Sequence, residues 1–80
     1  MDRYRKKPVE IEAVQFVAGI DPDIDGVRYY PHAVVGGECC YVNTPEGKMR
    51  AKPGDWIIRG VKGELYPCSA EVFAITYEAV

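Results

Sequence analysis

Lys48, Arg50 and Lys52 recur at every second position. On a strand that spacing projects all three from one face and turns Met49 and Ala51 toward the core. Like charges stacked along one face repel, so the ladder gains nothing for folding. A bound anion would offset the repulsion, and arginine grips a phosphate through two parallel hydrogen bonds. The plainer reading is a solvated strand face whose lysines discourage aggregation. Arg59 and Lys62, beside and within the Gly60-Val61-Lys62-Gly63 turn, add cations to the same half of the chain.

Aromatic residues accompany these charges. Trp56, Tyr66, Tyr29, Tyr30, Tyr41 and Tyr77 are more than a thin core needs. Their flat apolar faces and polar handles suit stacking on a nucleobase. Sheet packing is the plain alternative, and for Trp56 the better one. Tyr29 and Tyr30 are consecutive, so on a strand they face opposite ways and one of them is expected at the surface. Arg28 and His32 lie close by in sequence. The candidate ligand-binding set is therefore Lys48, Arg50, Lys52, Arg59 and Lys62, together with Arg28, Tyr29, Tyr30 and His32.

Other chemistries find less. Asp21-Pro22-Asp23-Ile24-Asp25-Gly26 opens like a calcium loop, but His32 stands where a bidentate Glu is required and Pro22 stiffens the turn. Cys39, Cys40, Cys68 and His32 lack the spacing of a zinc site. Three cysteines, two of them adjacent, suggest reduced thiols and no disulfide framework. A Cys39 or Cys40 nucleophile with His32 as base is conceivable but nothing positions it. Ser69 is better explained as a helix cap. No catalytic residue, metal or cofactor is assigned, and the chain is read as a non-enzyme.

These residues must be positioned by a small scaffold. Eighty residues, 48% hydrophobic and 28% charged, suit one globular domain over residues 1–80. So short a chain has a thin core, so a homo-oligomer is expected, with a pocket between copies. The net charge of −2 argues against a general nucleic-acid binder, and no sequence-specific nucleic-acid partner is expected. No apolar run reaches the ~20 residues of a membrane helix, and the basic leader Arg3, Arg5, Lys6, Lys7 is followed by no signal core. The reading is a cytoplasmic protein without a membrane partner.

Period-two alternation predicts a strand over residues 9–16, with Val9, Ile11 and Ala13 on one side and Glu10 and Glu12 on the other. Residues 27–30 suit a short strand stopped by Pro31. Strands follow at 38–43, 48–51, 56–59 and 64–68, separated by turns at Thr44-Pro45-Glu46-Gly47, Pro53-Gly54-Asp55 and residues 60–63. Ser69 caps one helical turn over residues 70–73, and residues 75–78 close the chain as a strand. Five or six short strands with regular Gly/Pro turns predict a mostly β fold, α+β at most. The expected form is a small antiparallel roll or partly open barrel.

The run Pro53-Gly54-Asp55-Trp56-Ile57-Ile58-Arg59-Gly60-Val61-Lys62-Gly63-Glu64-Leu65-Tyr66-Pro67-Cys68 resembles a widespread family of short phage and prophage proteins. Tyr4-Arg5-Lys6-Lys7-Pro8-Val9, Glu12-Ala13-Val14-Gln15, Phe73 and Thr76-Tyr77-Glu78 share the resemblance, whereas residues 17–43 do not. Ser69-Ala70 departs from the Lys-Pro often found there, removing a positive charge near Cys68. The resemblance implies a phage-encoded accessory protein in a bacterial cytoplasm and carries no activity by itself. Small phage proteins of this kind include sponges, oligomers that sequester the nucleotide signals of host defence systems such as Thoeris and CBASS. Cations for phosphates, aromatics for bases and no catalytic set fit that role. The alternative is a protein-binding module, either an inhibitor of a host protein or a minor virion or assembly component. Tyr29, Tyr30 and His32 would then supply its hot spot.

Overall fold

The computed structural model describes residues 1–5 and 7–80; Lys6 of the basic leader lies outside them. Six strands precede one helix: β1 (Glu12–Gln15), β2 (Val27–Tyr30), β3 (Cys39–Thr44), β4 (Gly47–Ala51), β5 (Trp56–Arg59), β6 (Leu65–Cys68) and α1 (Ala70–Thr76). The strands form two three-stranded antiparallel sheets, ordered β1-β5-β6 and β2-β3-β4. The fold is mostly β, as the turn spacing predicts, and the two sheets do not join into a closed barrel.

The β3–β4 hairpin follows from its turn residues. Thr44 pairs with Gly47 across Pro45 and Glu46. The Thr44 hydroxyl accepts from the Glu46 N–H at 3.1 Å and donates to the Gly47 carbonyl at 2.7 Å. Gly47 takes φ +109°, a conformation that a side chain would strain. This turn sets the register: Asn43 faces Lys48, Val42 faces Met49, Tyr41 faces Arg50 and Cys40 faces Ala51.

The sheets bury their facing sides against each other. Phe16, Ile57 and Leu65 from one half meet Cys40, Val42 and Ala51 from the other, with Ile24, Val27 and Tyr29 packed around them. Ala51 faces this core as expected, but Met49, on the same side of β4, is 42% exposed because the core ends before it.

The first strand is shorter than the alternation predicts. Glu12 pairs with Arg59, the last residue of β5, after which the chain turns away through Gly60, so residues 9–11 have no strand partner. Phe16 is the residue this segment buries; Val9 is 48% exposed. Past β1, the Phe16 N–H donates to the Asp55 carbonyl at 2.8 Å and the Gly54 N–H to the Phe16 carbonyl at 2.7 Å. That clamp seats Phe16 in the core.

The C-terminal segment differs from expectation. Ser69 caps the helix as predicted, its hydroxyl accepting from the Val72 N–H at 3.2 Å. The helix, however, runs Ala70–Thr76, and residues 75–78 form no strand. Phe73 stacks on Trp56 with ring centroids 4.1 Å apart and planes 4° from parallel, and Tyr77 adjoins Phe73 at 5.1 Å. These rings lay the helix on the outer side of the β1-β5-β6 sheet. Among the described residues no helix is long and apolar enough to cross a membrane.

Candidate functional site

The outer face of the β2-β3-β4 sheet gathers cations around an aromatic centre. β3 is the middle strand, so the register places Arg28, Tyr41 and Arg50 in one row across the sheet. Asn43 and Lys48 form a second row beside it. Residues directly opposite on an antiparallel pair share a face, with Cβ atoms ~5 Å apart. All five side chains are exposed. Tyr30 projects from the same face and meets Tyr41 edge to face, centroids 5.7 Å apart and planes at 83°. A hollow of about 580 Å³ opens here, lined by Gly26, Arg28, Tyr30, Tyr41, Asn43 and Lys48. That volume is within the range of small-molecule sites.

The cations of this face are not spent on carboxylates. Among the described residues the only ion pair is Lys52 with Asp55. Arg50 is held by a neutral partner instead. Its Nη2 donates to the Gly36 carbonyl at 3.0 Å. Gly36 has φ +79°, and a Cβ there would sit 2.5 Å from that same nitrogen, so the close approach needs glycine. The latch fixes the guanidinium and leaves its other donors free.

The remaining sequence candidates lie elsewhere. Lys52 falls one residue beyond β4, where its Nζ meets Asp55 Oδ1 at 3.0 Å and its backbone N–H donates to Asp55 Oδ2 at 2.9 Å. The expected three-rung ladder is thus two rungs, Lys48 and Arg50. Arg59 belongs to the other sheet, opposite Glu12, and lines a separate hollow with Val14, Ile24 and Ile57. Lys62 is exposed in the β5–β6 turn, its backbone N–H donating to Glu64 Oε1 at 3.0 Å.

Tyr29 and Tyr30 part as strand geometry requires. Tyr30 is 39% exposed. Tyr29 turns inward, its ring edge-on to Phe16 at 5.9 Å and its hydroxyl donating to Glu38 Oε2 at 2.5 Å. The same carboxylate oxygen accepts from the Gly19 N–H at 2.6 Å. The hydrogen bond to Glu38 pushes the Tyr29 pKa up to about 12, burial adding to it. The Tyr29 hydroxyl, followed by the Gly19 N–H, holds the Glu38 carboxyl below the usual range, and His32 nearby favours its ionised form. Tyr29 and Glu38 thus tie β2 to the 17–20 loop, and His32 is exposed in the turn after β2.

The thiols are free and separate. Cys39 and Cys40 are buried on opposite sides of β3, and Cys68 is half-buried. Burial pushes the Cys40 thiol up to about 11, far from a nucleophile's range. In the acidic loop, Asp21 Oδ1 accepts from the Asp23 N–H at 2.8 Å, so that carboxylate closes a turn. Among the described residues no three His, Cys, Asp or Glu side chains converge on a metal position.

Tyr41 and Asn43 complete the face and were absent from the sequence-derived set. Their signal lay in the hairpin. A two-residue loop between Thr44 and Gly47 sets Asn43 opposite Lys48 and Tyr41 opposite Arg50. Compared with protein-family models, curated proteins and solved structures, the chain matches none.

Proposed function

We propose that this chain is a non-enzymatic phage accessory protein that binds a nucleotide-derived immune signal and sequesters it from the host's defence. The observation that carries this reading is the row Arg28–Tyr41–Arg50, an exposed aromatic ring between two guanidiniums that lack carboxylate partners among the described residues. Tyr41 supplies a stacking surface for a base. Arg28, Lys48 and Arg50 supply charge-assisted hydrogen bonds to phosphate. The Gly36 latch holds Arg50 in place before ligand arrives, which lowers the entropy lost on binding. The protein acts in the bacterial cytoplasm as a homo-oligomer.

A second reading has its own observation. A mostly apolar groove of about 550 Å³ runs between the N-terminal segment, the outer side of β5 and β6, and α1. Val9, Ile11, Val61, Val72 and Tyr77 line it. At the other sheet, Val34 and Val35 stand exposed at a loop tip. Such surfaces suit a protein-binding module directed at a host or virion protein.

A thermal-shift screen separates the two. The probes are cyclic dinucleotides, cyclic ADP-ribose isomers and plain mono- and dinucleotides, with mass taken by light scattering. A ligand at a hundredfold excess over its Kd stabilises the folded form by ~2.7 kcal/mol, about 10–20 °C for a domain this small. The sponge reading expects such a shift, lost in Arg50→Ala and kept in Arg59→Ala. No shift with any nucleotide, together with co-purification of a host protein, overturns it in favour of the second reading.

A further inference from the structure

Each sheet has two edge strands, and the hydrogen bonds decide which backbone groups each edge shows. Just past β1, the Phe16 N–H donates to the Asp55 carbonyl and the Phe16 carbonyl accepts from the Gly54 N–H. Alternation then turns the backbone groups of Glu12 and Val14 toward β5, and those of Ala13 and Gln15 outward. Among the described residues only β5 pairs with β1, and all four β1 residues are exposed. The Gln15 side chain donates to the Gly54 carbonyl at 3.1 Å, so its backbone N–H and C=O stay open. An open edge of this kind is a template for another strand.

The other three edges are blunted against pairing with a copy of themselves. On a two-fold axis an antiparallel edge pairs its outward residues with one another. On β4 these are Lys48 and Arg50, because the 44–47, 42–49 and 40–51 pairs turn inward. Lys48 would then stand opposite Arg50, and like charges directly opposite destabilise. On β2 the Asn43 N–H donates to the Gly26 carbonyl, so Val27 and Tyr29 point outward and Arg28 would meet Arg28 at the axis. On β6 the Gly60 N–H donates to the Glu64 carbonyl, so Leu65 and Pro67 point outward. Pro67 has no N–H, which removes donors from that edge. Only β1 has outward residues that are uncharged and keep every donor. From this contrast we infer that two copies of this chain join antiparallel through β1 into one six-stranded sheet. Ala13 pairs with Gln15 of the second copy and Gln15 with its Ala13, four hydrogen bonds in all. Val14, 40% exposed in one chain, meets Val14 of the second copy at the axis. Val14 lies opposite the buried Ile57, so the paired valines extend the core face across the junction. Glu12 falls opposite Phe16 of the second copy, and no like charges meet. The junction is on the sheet that does not carry the cationic face.

The test is sedimentation equilibrium over a range of concentrations for the wild type, Val14→Lys, Val14→Glu and an equimolar mixture of the two variants. Circular dichroism checks that each variant folds. The wild type is expected at twice the chain mass of 8.9 kDa. Each variant alone is expected at one chain mass, since like charges then meet at the axis, and the mixture at twice that mass, since opposite charges do. A wild type at one chain mass throughout leaves this edge to a foreign strand and overturns the inference. Variants that both keep the doubled mass overturn it, as does a mixture that stays at one chain mass. Amide hydrogen exchange of the wild type tests the same junction without substitution. The Ala13 and Gln15 amides are expected to be protected at high concentration and to lose that protection on dilution. Fast exchange of both at every concentration overturns the inference.

Discussion

Tyr41 and Tyr29 stand one residue apart in the β2–β3 register, face opposite sides of the sheet and end in opposite environments. Tyr41 is 38% exposed between two arginines, and Tyr29 is tied to Glu38 beneath the sheet. The Tyr29–Glu38 contact makes stability depend on pH in two windows. Glu38 has a folded pKa below its ordinary 4.5, so its contribution is complete above about that pH and is lost as pH falls through the folded value. Tyr29 is raised from 10.0 to about 12, so its contribution is complete below pH 10 and is lost as pH rises toward 12. Melting temperature measured across both windows should show an acid limb that Glu38→Gln flattens and an alkaline limb that Tyr29→Phe flattens. If both variants track the wild type at every pH, the contact contributes nothing. At this scale the sequence made Lys48 and Arg50 legible through their spacing. It did not reveal that Asp55 takes Lys52, because that contact depends on where β4 stops. Tyr41 stood out as one of the surplus aromatics, but its place opposite Arg50 was readable only by carrying the hairpin register one step further.

Among the elements, hairpins were legible and the chain ends were not. The strands at 27–30 and 56–59 match the sequence reading residue for residue, since turn residues bracket them. The end of α1 was hidden for a physical reason. Ile75 to Glu78 carries β-branched and aromatic residues and reads as a strand, but the Trp56–Phe73 stack and the Ser69 cap favour continuing the helix. β1 shortened because its partner ended. The helix is therefore held mainly by Phe73, since none of its residues is fully buried. Phe73→Ala should cost about 2 kcal/mol in denaturant unfolding and shift Trp56 emission to the red as its ring meets water. An unchanged emission maximum would mean that the helix docks through other contacts.

The whole molecule sets two unlike surfaces on opposite sides of a thin core. Among the described residues eight hydrophobic side chains are buried, among them Phe16, Val42 and Ile57. One side is cationic and aromatic, the other apolar and helix-covered. A net charge of −2 concealed the first, because no Asp or Glu falls within β2, β3 or β4 while three cations share one face of that sheet. This face is the one proposed to hold the ligand. Nitrogen–proton correlation spectra of the labelled protein, titrated with the nucleotide that gives the largest thermal shift, locate the binding surface in the wild type and in Tyr41→Ala. The amides of Arg28, Tyr41, Asn43, Lys48 and Arg50 are expected to move together and saturate, those of β1 and β6 to stay put, and Tyr41→Ala to abolish the response. Saturating shifts confined to the groove beside α1, or none on β2–β4, would contradict it.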